Sequence, residues 1–234
     1  MNNTTQKVGA ILLAAGKSNR MGGPDKIISQ LNKMPTFWYP LKILAHSKYV
    51  DEITIVVSKS NFDSINEYLN NWNFIKTINL LIGGELRQDS VKIGLNSLLD
   101  SDIIIVHDAA RPFLSEKMLI QGIKEVDLTG SSSVAIRSTD SLKIVKNNLS
   151  IESIDRSKIW NIQTPQFFKK NILTKSHDNA SKLNKYFTDD TSLVESQGYS
   201  TKIFAGSTTN IKITTKNDLH LAEAIIKSGK LNES

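Results

Sequence analysis

Cysteine is absent from the chain. That excludes disulfides, thiolate zinc sites, cysteine-held iron–sulfur clusters and a cysteine nucleophile. Proline and glycine are scarce too, 5 and 12 in 234 residues, which rules out a collagen-like or low-complexity chain. No apolar run approaches the roughly 20 residues of a membrane span. The longest runs are strand-length, such as Ile103-Ile104-Ile105-Val106. Nor is there a block of lysine and arginine. The 29 basic residues exceed the 23 acidic ones, for a net charge of +6, yet they are scattered. This argues against nucleic acid or a membrane surface as the main partner and leaves a small polyanionic substrate. The polar start, Met1 to Lys7, carries no signal-type cleavage pattern, so a cytoplasmic protein is expected.

What is present is a globular composition, 39% apolar and 22% charged. A chain of this length buries roughly 70% of its unfolded surface and needs no cross-link to fold. Short runs rich in valine and isoleucine alternate with amphipathic stretches. Residues 8–13, 53–57, 78–82, 103–106 and 132–136 read as strands buried on both faces, the mark of a parallel sheet covered by helices. Helices are expected over 62–72, 88–99 and 116–126, with a closing helix led in by Asn217-Asp218. One segment departs from this. Residues 141–145 alternate polar and apolar, Lys146-Asn147-Asn148 reads as a turn, and 149–154 returns. The spacing predicts one α/β domain over 1–234 with a protruding β-hairpin arm over 137–158. The arm's apolar face must be covered, by its own domain or by a second subunit.

Several constellations can carry chemistry. The first strand ends at Ala14-Ala15-Gly16 and leads into a loop bearing Lys17, Arg20 and Lys26. Small residues admit a ligand close to the backbone, and fixed cations with exposed N–H groups suit phosphates. A P-loop would need glycine at Ile11, and no G-x-G-x-x-G follows the strand, so neither common nucleotide motif is present. A phosphate loop and an ordinary strand-to-helix loop are the alternatives. Gly83-Gly84-Glu85-Leu86-Arg87 followed by Asp89-Ser90 reads either as a ligand loop or as a turn with a helix cap. In His107-Asp108-Ala109-Ala110-Arg111-Pro112 an acid leaves the most apolar strand; it can hold Mg²⁺ carried by a phosphate ligand or serve as a cap. Asp155-Arg156, Gln163-Thr164-Pro165-Gln166, Thr188-Asp189-Asp190 and Asn210-Ile211-Lys212-Ile213-Thr214 are each weak alone. Lys212 reads as a solvated residue of an alternating strand, and Asp189-Asp190 as a helix cap. The histidines show no metal-ligand spacing, and His107 reads as structural.

In this order, over residues 8 to about 226, these segments resemble the 2-C-methyl-D-erythritol 4-phosphate cytidylyltransferase family. The Asp108 segment together with Gln163-Thr164-Pro165 and Lys212 is the specific part; the Ala14-Ala15-Gly16 loop is common to many nucleotidyltransferases. The resemblance implies a Rossmann-like nucleotidyltransferase fold and the joining of CMP from CTP to the polyol phosphate with release of pyrophosphate, in non-mevalonate isoprenoid synthesis. It implies Mg²⁺ and a homodimer that exchanges the arm. It places Ala14, Ala15, Gly16, Gly84, Glu85, Ser90 and Asp108 around CTP, with Asp108 toward the metal. It places Arg111, Arg156, Thr164, Thr188 and Lys212 on the polyol phosphate, Arg156 reaching across the dimer. Arg20, Lys26, Arg156 and Lys212 become the catalytic cations. The sequence departs from the family at Pro24-Asp25-Lys26-Ile27-Ile28, where the usual pattern is Pro-Lys-Gln-Phe, at Phe37-Trp38-Tyr39-Pro40, and at Thr209, where an acid is frequent. The alternatives are a ribitol-5-phosphate cytidylyltransferase, a nucleotidyltransferase for another acceptor, and a nucleotide-binding relative without activity.

Overall fold

The computed structural model describes residues 6–16 and 25–229. Its first strand, β1 (Val8–Ala14), is buried along its whole length. The side chains divide by parity: Ala10, Leu12 and Ala14 enter one core, Ile11 and Leu13 the other. A strand covered on both faces has no polar positions to spare, which is why the run reads as continuous.

After a two-residue pairing of β2 (Gln30–Leu31) with β3 (Met34–Pro35), the chain runs α1 (Trp38–His46), β4 (Glu52–Val57), α2 (Phe62–Asn71), β5 (Ile78–Ile82), α3 (Arg87–Ser97), β6 (Ile103–Asp108) and α4 (Glu116–Thr129). Then come β7 (Ser131–Arg137), the hairpin β8 (Leu142–Lys146) and β9 (Leu149–Ile154), and β10 (Trp160–Lys169). The chain closes with α5 (Lys170–Lys182), α6 (Asp190–Glu195), β11 (Lys202–Ala205) and α7 (Lys216–Lys227). The main sheet has 7 strands in the order β11-β7-β10-β6-β1-β4-β5. All run in one direction except β10, which is antiparallel to both β6 and β7. Leu41 and Leu44 of α1, Ile65 of α2 and Leu119 of α4 cover one face. Val91 and Leu95 of α3, Leu173 of α5 and Leu193 of α6 cover the other. The mostly parallel, helix-covered α/β sheet is the expected architecture.

The five strands anticipated from the sequence are present with ends shifted by a residue or two, and the anticipated helices with ends shifted by up to three. The hairpin turns at Asn147 and Asn148, both in the left-handed region at φ 49° and 63°, which asparagine tolerates and a two-residue hairpin demands. Two readings need correction. Strand β10 was not anticipated: it lies inside the sheet but carries Asn161, Gln163, Thr164 and Gln166 among its apolar residues. The Asn210–Thr214 segment is not a strand. Its alternation arises because Ile211 and Ile213 both turn into a third, small cluster with Leu31, Phe113 and Ala222.

Helix α7 opens one turn earlier than Asn217-Asp218 suggested, at Thr215. Asp218 Oδ2 accepts from Thr214 N, Thr214 Oγ1, Thr215 N and Thr215 Oγ1, at 2.7 to 3.0 Å. Burial opposes the charge on this carboxyl, but these hydrogen bonds outweigh it and hold the pKa below the usual range. Its stabilisation is therefore complete above the unfolded value of about 3.9 and is lost as pH falls through the lower folded value. Asp218→Ala should cost about 1 kcal/mol at pH 7, the usual worth of a helix cap. Urea unfolding at pH 7 and at a pH well below about 3.9 checks this: the difference from the unsubstituted protein should shrink at the lower pH.

Candidate active site

The carboxyl ends of β1, β4, β5 and β6 open onto a cleft of about 720 Å³. Its walls follow from close packing. A Cβ on Gly83 would fall 2.6 Å from Ser90 Oγ and 2.7 Å from the Ala15 Cβ, so glycine is what lets the end of β5 meet α3 and the loop after β1. Among the described residues, a Cβ on Gly16 would meet nothing within 4 Å. That backbone lines the cleft, where a residue without a side chain lets a ligand come close.

Lys26 lines the same cleft. The aspartate that precedes it builds the turn that presents it. Asp25 Oδ1 accepts from Ile27 N at 3.1 Å, and Oδ2 accepts from Asn61 Nδ2 at 2.7 Å, tying the turn to the segment after β4. Ile27 plugs into the core beneath. The Asp25-Lys26-Ile27 departure thus has a local structural reason and still brings Lys26 to the cleft. Lys17 and Arg20 lie outside the described residues.

Asp108, at the end of β6, is the centre of charge. Lys212 Nζ lies 2.7 Å from its Oδ2, Arg87 Nε 3.6 Å from Oδ1 and Arg111 Nε 3.9 Å from Oδ2. Burial alone would raise the Asp108 pKa; Arg87, Lys212 and Arg111 together overcome it and hold the carboxyl well below the usual range. The group is an anion at any physiological pH.

The support beneath is a polar network. His107 is fully buried, and its Nε2 lies 3.1 Å from the Arg111 carbonyl oxygen. A carbonyl only accepts, so Nε2 carries the proton and Nδ1 the lone pair. Nδ1 accordingly accepts from Thr164 Oγ1 at 3.2 Å, and Thr164 Oγ1 accepts from Asp108 N at 3.0 Å. Burial lowers the His107 pKa to about 4, so the ring stays neutral and structural, as the sequence suggested. Thr164 reaches this position because the β10–β7 register breaks between Ile162 and Gln166. Lys212 is fixed from the other side. Asn210 Nδ2 donates to Gln163 Oε1 and to the Thr164 carbonyl, Arg111 Nη1 donates to the Asn210 carbonyl at 2.7 Å, and Ile213 N donates to the Ala110 carbonyl at 2.8 Å. The segment is a strap stitched across the cleft, and this corrects its reading as a solvated strand.

Of the residues expected at the site, Ala15, Gly16, Lys26, Gly84, Glu85, Ser90, Asp108 and Lys212 line the cleft. Arg111 and Thr164 lie beneath Asp108. The Ala14 side chain belongs to the core. Thr188 is exposed, just ahead of α6. Arg156 is not brought to the cleft of its own chain: it stands at the base of the arm and its Nη1 donates to the Thr139 carbonyl. The sequence reading missed Arg87 as a site residue, although it stood inside a quoted motif, and its partner Asp190, read only as a cap. The cap is Asp189, whose Oδ1 accepts from Ser192 N.

Among the described residues no group of three or more His, Asp or Glu could hold a metal by itself. Asp108 offers a single carboxylate. One carboxylate fits a Mg²⁺ ion whose remaining ligands are substrate phosphates and water, and does not fit a metal held by protein alone.

A doubly wound sheet with a cation-lined cleft at the carboxyl ends of its strands defines a protein that binds phosphorylated ligands at the switch of its fold. The chain belongs to the 2-C-methyl-D-erythritol 4-phosphate cytidylyltransferase family, whose model matches residues 8–228. It is similar to the protein of that name from Dehalococcoides mccartyi, 39% identical over 226 residues that cover 96% of this chain and 98% of the relative. The namesake from Clostridium novyi is 36% identical over 224 residues, 94% of this chain and 97% of that one. Among solved structures, the 4-diphosphocytidyl-2C-methyl-D-erythritol synthase of Anaerococcus prevotii has a TM-score of 0.85 at 28% identity, over 95% of this chain and 96% of that one.

Proposed function

We propose that the protein transfers the cytidylyl group of CTP to 2-C-methyl-D-erythritol 4-phosphate and releases pyrophosphate, a step of non-mevalonate isoprenoid synthesis. The observation that carries this reading is the gathering of Lys26, Arg87 and Lys212 with Asp108 in one cleft at the strand ends. An oxygen of the acceptor phosphate attacks the α-phosphorus of CTP. A new P–O bond forms, the bond to the bridging oxygen of the β-phosphate breaks, and its electron pair leaves with pyrophosphate. The nucleophile is already an anion near neutral pH, so no general base is required. The barrier is the meeting of two anions, and catalysis is positioning plus neutralisation of charge.

In this reading Ala15, Gly16, Gly84, Glu85 and Ser90 surround the cytidine, and Lys26 with Arg20 holds the triphosphate. Lys212 bridges toward the acceptor phosphate, with Arg111 and Thr164 fixing the floor. Asp108 is the residue that would hold Mg²⁺, which when bound supplies further neutralisation of the triphosphate. The names of the relatives favour methylerythritol phosphate over ribitol phosphate as acceptor. The test is ³¹P NMR of CTP and Mg²⁺ incubated with each acceptor. Coupled diphosphate signals should arise with methylerythritol phosphate; a product formed only with ribitol phosphate contradicts the choice of acceptor.

The same reading makes the protein a cytoplasmic homodimer joined through the arm. In one chain the arm leaves Val145, Leu149 and Ile151 57%, 70% and 61% exposed. Arg156 stands at its base, away from its own cleft. A partner subunit would both cover these side chains and receive Arg156. Leu149→Asp combined with Ile151→Asp should yield monomers in sedimentation velocity, with activity reduced about 10²-fold through loss of positioning. A dimer of full activity would rule the arm out as the interface.

A further inference from the structure

Asp190 is 2% exposed, a buried acid at the first turn of α6 with no part in the chemistry described above. Its Oδ2 accepts from Arg87 Nη1 at 2.6 Å, across 103 residues of sequence. The same guanidinium turns its Nε toward Asp108 Oδ1 at the longer distance of 3.6 Å. His177, also buried, comes no closer to Asp190 than 3.8 Å and neither ring nitrogen has a hydrogen bond among the described residues. Arg87 is therefore the hydrogen-bonded ion partner of Asp190.

We propose that Asp190 is a positioning residue for cytidylyl transfer: it clamps Arg87 so that the guanidinium faces Asp108 without closing on it. The proposal rests on the function given above. A guanidinium is a rigid planar fork and prefers two parallel bonds to one carboxylate. Here the short bond to Asp190 anchors the guanidinium at Nη1, and its Nε stands off Asp108 Oδ1 at 3.6 Å. Without the clamp, Asp108 is the nearest acid to a cation that is itself largely buried, and a fork-to-fork pair would occupy the oxygens that must face the ligands. Asp190 opens α6, so the clamp ties the start of that helix to the floor bearing Asp108. Preorganised charge loses its effect when it is free to rearrange.

The experiment combines a mutant cycle with a spectrum. Asp190→Asn, Arg87→Gln and the double variant are compared for kcat and for KM of both substrates, with thermal melting to verify folding. Asp190→Asn should lower kcat about 10- to 100-fold with a smaller effect on KM for CTP, the pattern of lost positioning rather than lost binding. The double variant should be no worse than Arg87→Gln alone, because Asp190 acts through Arg87. Losses that multiply, or an Asp190→Asn enzyme within about twofold of the unsubstituted one, overturn the proposal. The spectrum needs no variant and no substrate. In the unsubstituted protein the Arg87 guanidinium should show resolved, slowly exchanging side-chain N–H signals; freely averaged signals overturn the clamp. An unsubstituted protein that releases no pyrophosphate would instead count against the function itself, so the two failures are distinct.

Discussion

Lys212→Ala should lower the turnover of cytidylyl transfer by about 10²- to 10³-fold while weakening CTP binding by about tenfold or less. The asymmetry follows from where the ammonium sits. The strap from Asn210 to Ile213 is fixed by the Asn210 amide, by Arg111 and by the backbone bond to Ala110, so Nζ is held over Asp108 at 2.7 Å before any ligand arrives. A cation so placed, at the lip of the cleft, meets charge that develops when the acceptor phosphate reaches the α-phosphorus. It contributes less to CTP already bound. Steady-state rates and a calorimetric CTP titration separate the two effects. An unchanged turnover with a large loss of CTP affinity would reassign Lys212 to ground-state binding. Lys26→Ala should show the same direction of split, since Lys26 lines the same cleft, where in the proposed transfer it would meet the charge that develops at the α-phosphorus.

Asp108→Asn should remove both activity and stability. The carboxylate is the common counter-charge of Arg87, Lys212 and Arg111. Arg111 depends on it most: its Nε has no hydrogen bond among the described residues, and its side chain is 12% exposed. Removing one partner of a buried ion cluster leaves uncompensated charge and typically costs about 3–5 kcal/mol. Arg87 and Lys212 retain access to water, so the lower end of that range, about 3 kcal/mol, is expected. Chemical denaturation against the unsubstituted protein measures it. Activity should fall by at least about 10²-fold in the same variant, because the three cations lose the anion that spaces them. An Asp108→Asn protein as stable as its parent would mean that the cluster is already neutralised by water.

The strands of the sheet were legible because they are buried on both faces. Such a strand cannot alternate, so 8–13 and 103–106 stood out as unbroken apolar runs and proved to be β1 and β6. Strand β10 hid for the opposite reason. It is central, yet its middle holds Gln163, Thr164 and Gln166, whose polar groups serve the network under Asp108 rather than a hydrophobic core. Period-two patterning misled at 210–214, because a strap that drops two isoleucines into a cluster looks like a strand in sequence. The floor and rim of the site, from Gly16 to Asp108 and Lys212, were legible as motifs. The Arg87–Asp190 pair was not, since a contact between residues 103 positions apart leaves no local trace. Arg156 is a further case: its assignment depends on a second copy of the chain, and no property of the single chain carries it to the cleft.

One cleft is expected to join CTP to methylerythritol phosphate. Pyrophosphate release tests it most directly, measured with CTP alone, with the acceptor alone and with both, in the presence of Mg²⁺. Release that requires both substrates is the predicted result. No release from the pair, by a folded protein that binds CTP, would rule out cytidylyl transfer in this cleft.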